Sequence, residues 1–156
     1  MTARYAFDTI RLERDMPCTP ERLFELMTSR EARAVWGRPS PTARYDIESF
    51  DFRPGGREVS LCGAPDGPGF RVEMGFLVID APRLLICCET IDTGDGPAVA
   101  DLVTQEVSAT PDGARLVVTI QIAAPTRPDS ESAIGDDFRT GWTGALGNLA
   151  ALAAEA

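Results

Sequence analysis

Ile134–Ala153 reads IGDDFRTGWTGALGNLAALA. At about 100° of turn per residue, Ile134, Phe138, Trp142, Ala145, Leu146, Leu149, Leu152 and Ala153 fall within about 120° of arc, which predicts one long amphipathic helix. Its stripe is aromatic at the N-terminal end. Gly135, Gly141, Gly144 and Gly147 each cost such a helix roughly 1 kcal/mol against alanine. Gly135 and Gly141 lie on or beside the stripe, where a missing side chain leaves room for a ligand or a close strand. Gly144 and Gly147 lie elsewhere, and the pattern offers no reason for them. A long helix this apolar along one side needs a partner layer, and the chain before it supplies one.

That partner is a meander. From Tyr45 onward, apolar runs are separated by Pro54-Gly55-Gly56, Pro65-Asp66-Gly67, Pro82-Arg83 and Pro111-Asp112-Gly113, and Pro125-Thr126-Arg127-Pro128 breaks the chain before the helix. In the clearest run Phe70, Val72, Met74, Phe76 and Val78 share one face, while Arg71, Glu73 and Gly75 take the other. Leu116, Val118, Ile120 and Ile122 repeat the alternation. Leu84 to Cys88 is apolar on both faces, which places it centrally in the sheet, and Val103 to Val107 alternates only weakly.

Farther upstream, residues 8 to 16 set Ile10, Leu12 and Met16 among charges as a half-buried first strand whose pattern Arg14 interrupts. Thr19-Pro20-Glu21 then starts a short helix with a hydroxyl cap and proline in the first turn, and Leu23, Phe24 and Met27 form its apolar face. Ser29 caps a second short helix that ends near Trp36-Gly37-Arg38-Pro39. The order predicts an α+β helix-grip fold: a curved antiparallel sheet of about six to seven strands wraps the C-terminal helix, with two short helices after the first strand. One domain accounts for all 156 residues, with its core over about 8–153.

Composition narrows the chemistry. The formal charge is -9, so nucleic acid and anionic membrane surfaces are repelled on average. No stretch reaches transmembrane length. All 15 basic residues are Arg, which removes lysine Schiff-base chemistry, and the absence of His excludes Ser-His-Asp and Cys-His catalysis. Cys18, Cys62, Cys87 and Cys88 lack C-x-x-C spacing, so they read as buried free thiols and no metal or cofactor is expected. Met1 to Met16 carries Arg4, Asp8, Arg11, Glu13 and Arg14 with no apolar core of signal-peptide length, and the expected location is cytoplasmic.

Met16-Pro17-Cys18-Thr19-Pro20-Glu21-Arg22-Leu23-Phe24 resembles the opening strand and helix of START-related SRPBCC proteins. Trp36-Gly37, Asp51-Phe52-Arg53-Pro54-Gly55-Gly56-Arg57, Gly75-Phe76, Asp80-Ala81-Pro82-Arg83-Leu84 and Gly141-Trp142 with Leu149 follow in the order of the heat-shock protein 90 ATPase activator homologue branch. The resemblance spans roughly residues 8 to 153. It implies a helix-grip fold around a hydrophobic cavity, in a family of binders, carriers and cyclases; fold does not settle function.

Candidate wall residues are Phe70, Met74, Phe76, Phe138, Trp142 and Leu146, because the sheet's apolar face and the helix stripe must confront one another. For any one of them plain core is the better reading, and the cavity reading gains from the aromatic cluster and the resemblance taken together. Trp36 is either part of a lid or a buried anchor. Arg53 pairs with an anionic ligand or with a surface carboxylate. Glu73 and Glu89 are solvated unless they point inward, in which case burial makes a general acid or base; Glu89, beside Cys87 and Cys88, is the better candidate. Asp136 and Asp137 suit the helix dipole. The leading functional expectation is binding of a small hydrophobic or aromatic molecule between sheet and helix. Alternatives are a cyclase- or hydrolase-type enzyme running on a cavity carboxylate, and a chaperone-interaction module. Against the last stands the separate N-terminal domain of the eukaryotic activators, for which this chain has no room. Homodimerisation through an edge strand or the helical corner is open.

Overall fold

The Thr19 hydroxyl accepts the Arg22 amide at 3.2 Å, and Pro20 fills the first helical position. Helix α1 (Pro20–Thr28) therefore begins where its local signals place it. The Ser29 hydroxyl accepts the Ala32 amide at 3.3 Å and starts α2 (Arg30–Trp36). The structure, a computed structural model, describes residues 4–94, 96, 98–126 and 134–155, and of Ile134 its backbone alone. Arg127 and Pro128 of the expected break, and the side chain of Ile134, lie outside the described residues.

Before α1 runs β1 (Tyr5–Met16), three residues longer than the expected strand. After α2 come β2 (Arg44–Phe50), β3 (Arg57–Gly63), β4 (Phe70–Asp80), β5 (Leu84–Asp92), β6 (Val99–Thr110) and β7 (Gly113–Pro125), then helix α3 (Ile134–Ala153). The strands form one antiparallel sheet in the order β1-β7-β6-β5-β4-β3-β2. The doubly apolar β5 is its middle strand, as a run without a polar face must be. One face reading changes. A bulge between Phe76 and Val78 inserts a residue, so Val78 turns outward and is exposed while Ile79 packs against the core.

The bulge is held from the β2–β3 turn. Gly55 donates to the Phe76 carbonyl at 2.8 Å, and the Phe76 amide donates to Gly56 at 3.0 Å. Gly55 has φ +84, which suits a residue without Cβ. Phe52 and Phe50 meet the Phe76 ring edge-on at 5.0 and 5.8 Å. The Phe-Arg-Pro-Gly-Gly run thus builds a corner of the core.

Leu116, Val118 and Ile120 of β7 are fully buried with Leu23 and Met27 of α1. Helix α3 lies along β1 and against α1 and α2. Seven strands at about 4.8 Å spacing are nearly 30 Å wide, whereas one helix is about 10 Å across. Part of the inner face is therefore left uncovered. A loop from α2 bounds that part, and α3 pins the loop: Asn148 Nδ2 donates to the Arg38 carbonyl at 2.6 Å. A Cβ on Gly144 would stand 2.8 Å from the Pro39 carbonyl oxygen, which explains this glycine. Gly144→Ala is expected to lose about 1–3 kcal/mol despite its better helix propensity, because backbone has to move. A urea melt equal to or better than wild type would refute the contact.

Candidate functional site

The uncovered inner face of β3 to β6, the α2–β2 loop and the first half of α3 enclose a cavity of about 580 Å³. Its apolar wall is built from Trp36, Phe70, Val72, Met74, Phe138 and Trp142. Five of the expected wall residues, Trp36, Phe70, Met74, Phe138 and Trp142, are therefore brought together. Trp36 is buried and its Nε1 donates to the Leu26 carbonyl at 2.8 Å, so it anchors α2 to α1 while its ring forms wall. Gly141 also lines the cavity, and a Cβ there would meet nothing within 4 Å. At Gly135, by contrast, the Asp8 carboxylate of β1 occupies the side-chain position.

The structure puts three other expected site residues elsewhere. Phe76 belongs to the Phe50–Phe52 cluster, Leu146 is packed in the core, and Arg53 is exposed and pairs with Asp51 at 2.8 Å. Asp137, in the first turn of α3, reaches the cavity's edge.

The polar part of the wall follows from strand register. Met74 of β4 points inward; its partners across the sheet are Glu58 on β3 and Glu89 on β5. Glu89 in turn pairs with Asp101 on β6, which pairs with Ile122 on β7, opposite Asp8 of β1. Direct cross-strand partners share a face, so a row of carboxylates runs along the inside of the sheet. Glu73, one residue from Met74, is on the outer face beside Arg57 and Arg71.

Glu58 is fully engaged. Arg33 Nε donates to its Oε1 at 2.6 Å, Arg33 Nη2 to Oε2 at 3.3 Å, and the Tyr45 hydroxyl to Oε2 at 2.6 Å. Arg33 Nη1 is held by the Met27 carbonyl at 3.0 Å, and the guanidinium lies 5.3 Å from the Trp36 ring centre. Burial opposes the Arg33 charge, yet Tyr45 and Glu58 hold it above the ordinary guanidinium range. Burial, with Glu58 adding, raises the Tyr45 phenol.

Among the described residues Glu89 has no such partner. It is half-buried and lines the cavity, so the surface it retains faces the cavity space. Burial pushes its carboxyl up to about 7; Arg33 opposes the rise and Glu58 adds to it. Behind it, burial and then the Glu89 charge push Asp101 up to about 9. Neither Asp101 oxygen has a hydrogen-bond partner among the described residues, nor does Oε1 of Gln105 on the cavity wall. Cys87 is buried, and burial drives its thiol up to about 12, which leaves no thiolate for chemistry at neutral pH.

Sequence reasoning did not find Arg33, Tyr45, Glu58, Asp101 or Gln105. One signal was present: Arg33 stands three residues before Trp36, on the same helical face. Among the described residues, no group of three His, Cys, Asp or Glu side chains is placed to hold a metal ion, and no helix is long and apolar enough to cross a membrane.

A family model described as "Activator of Hsp90 ATPase homolog 1-like protein" matches residues 17–154. No curated protein matches the sequence. Among solved structures, a Chromobacterium violaceum protein superposes with TM-score 0.82 at 23% identity, over 95% of this chain and 98% of its own. An uncharacterized Rhizobium leguminosarum protein gives 0.83 at 22%, over 98% of both chains. A Rhizobium loti protein gives 0.80 at 29%, over 95% and 98%. These likenesses concern the fold.

Proposed function

This chain belongs to the Activator of Hsp90 ATPase homolog 1-like family of the SRPBCC superfamily, and from that premise we propose that it binds a small hydrophobic or aromatic molecule between the sheet and α3. The observation that carries the reading is the cavity of about 580 Å³ with an aromatic wall drawn from β4, α2 and α3. That volume lies within the range of small-molecule sites, and an apolar wall with a few polar groups is their usual make-up. Desolvation supplies the affinity, at about 25 cal/mol per Å² of apolar surface removed from water.

Both tryptophans of the chain, Trp36 and Trp142, are wall residues, so their fluorescence reports occupancy directly. A panel of aromatic and alicyclic compounds is expected to change that fluorescence and to raise the melting temperature. A ligand at one hundred times its Kd adds about 2.7 kcal/mol to stability. A panel that moves neither signal counts against the proposal. Gly141→Leu fills open space from a helical position: it is expected to fold at least as stably as wild type and to weaken binding by about tenfold or more. Unchanged affinity in that variant means the ligand sits elsewhere.

The inward position of Glu89 favours a second reading, in which its carboxyl acts as general acid or base on the bound molecule. Glu89→Gln that keeps binding but loses turnover supports catalysis. Turnover unaffected by the substitution sinks it.

A further inference from the structure

We propose that the cavity selects ligands with a cationic nitrogen, an amine or amidine on an aromatic or alicyclic body, whose N–H donors dock on Glu89 with Gln105 alongside. This rests on the reading of the cavity as a binding site and specifies what it takes.

The wall still lacks hydrogen-bond donors for its acceptors. Glu89 faces the cavity, and no hydrogen bond contributes to the state of its carboxyl. Gln105 is 2% exposed, lines the same cavity, and its Oε1 is without a partner among the described residues. Asp101, cross-strand from Glu89, lies behind the wall rather than on it, so the acceptors open to a ligand are those of Glu89 and Gln105. Buried acceptors left empty are costly, so a ligand that supplies donors recovers more free energy than one that does not.

The opposite charge finds nothing equivalent. The guanidinium of Arg33 is the cation deep in the wall, and Glu58 and the Met27 carbonyl already engage its Nε, Nη1 and Nη2. The chain contains neither Lys nor His to offer another. At the edge Arg44 pairs with Asp46 at 3.2 Å, and Asp137 adds negative charge. Among the described residues a carboxylate would therefore enter beside Glu89 with no free counter-ion, whereas a cation meets an unpaired carboxylate. Trp142, Phe138 and Phe70 present ring surface to the body of the molecule, and aromatic faces favour a neighbouring cation.

Three probes share one body and differ in the head group: 2-naphthylmethylamine, 2-naphthylmethanol and 2-naphthoate, titrated calorimetrically into the full chain in one neutral buffer. The amine is expected to bind about tenfold tighter than the alcohol, and the carboxylate more weakly than either. In Glu89→Gln the advantage of the amine over the alcohol should disappear. Glu89→Asp, which keeps the charge, should retain the preference. Equal binding of amine and alcohol, a carboxylate that binds best, or a preference that survives Glu89→Gln overturns this inference and leaves the binding reading standing. Failure of all three probes to bind or to alter tryptophan fluorescence overturns both. The wild-type ranking decides even if the glutamine variant folds poorly.

Discussion

Glu58→Ala is expected to cost about 3–5 kcal/mol, because it leaves the Arg33 charge buried without its counter-ion. The side chains of Arg33 and Glu58 are 8% and 2% exposed, so water does little to screen the loss. At about 2–4 °C per kcal/mol for a domain of this size, the melting temperature should fall by roughly 10–15 °C. Tyr45 loses its acceptor at the same time, which adds to the cost. Replacing both members, Arg33→Met with Glu58→Leu, is expected to recover most of the stability, since the pair must overcome its own desolvation. That double variant separates an electrostatic origin from a packing one. Chemical denaturation of the three proteins is the check, and a Glu58→Ala variant within about 1 kcal/mol of wild type rules the account out.

Asp101→Asn should have the opposite sign. The folded chain holds Asp101 protonated because burial, then the neighbouring Glu89 charge, raise its carboxyl to about 9. The unfolded chain releases that proton near the ordinary carboxylate value of about 3.9. Between these limits the native state binds more protons than the unfolded state, so the contribution of this group to stability is complete below about pH 4 and is lost as pH rises toward 9. Glu89 adds the same sign up to about 7. The groups facing Asp101 are Glu89 on β5 and, across Ile122, Asp8 on β1; no cation pairs with it in that row. Asn keeps the shape and removes the charge. The variant is expected to gain about 2 kcal/mol over wild type near pH 8 and little near pH 4. Thermal melts across that range test it: a gap between the two proteins that does not widen with pH contradicts the assignment.

The order of elements was legible because each rests on neighbours in the chain. A cap at Thr19 with Pro20, turns at Pro54-Gly55-Gly56 and Pro111-Asp112-Gly113, alternation in Phe70–Phe76, and the stripe from Phe138 to Ala153 are short-range signals. The structure follows them closely, and β5 takes the central place its two apolar faces require. The aromatic wall was legible for the same reason, since Phe70 and Met74 share a strand face and Phe138 and Trp142 share a helix face.

The polar wall was not. Strand β3 turns Glu58, Ser60 and Cys62 toward the cavity, although its sequence alternates these with the more apolar Val59 and Leu61. Only pairing with β4, where Glu58 stands opposite Met74 and Ser60 opposite Val72, decides which set faces inward. The bulge at Phe76 likewise reversed Val78, because a period of two survives only while no extra residue enters the strand.

The sequence by itself therefore determined which elements form, their order, and the exclusion of histidine and lysine chemistry, all of which depend on composition or on residues a few positions apart. Tertiary structure alone decided the chemistry of the cavity. Arg33 and Glu58 meet across 25 positions, and Glu89 and Asp101 become neighbours only through strand register. Whether a carboxylate is paired, left unpartnered or solvated depends on what lies within a few ångströms of it, and local sequence carries no record of that distance.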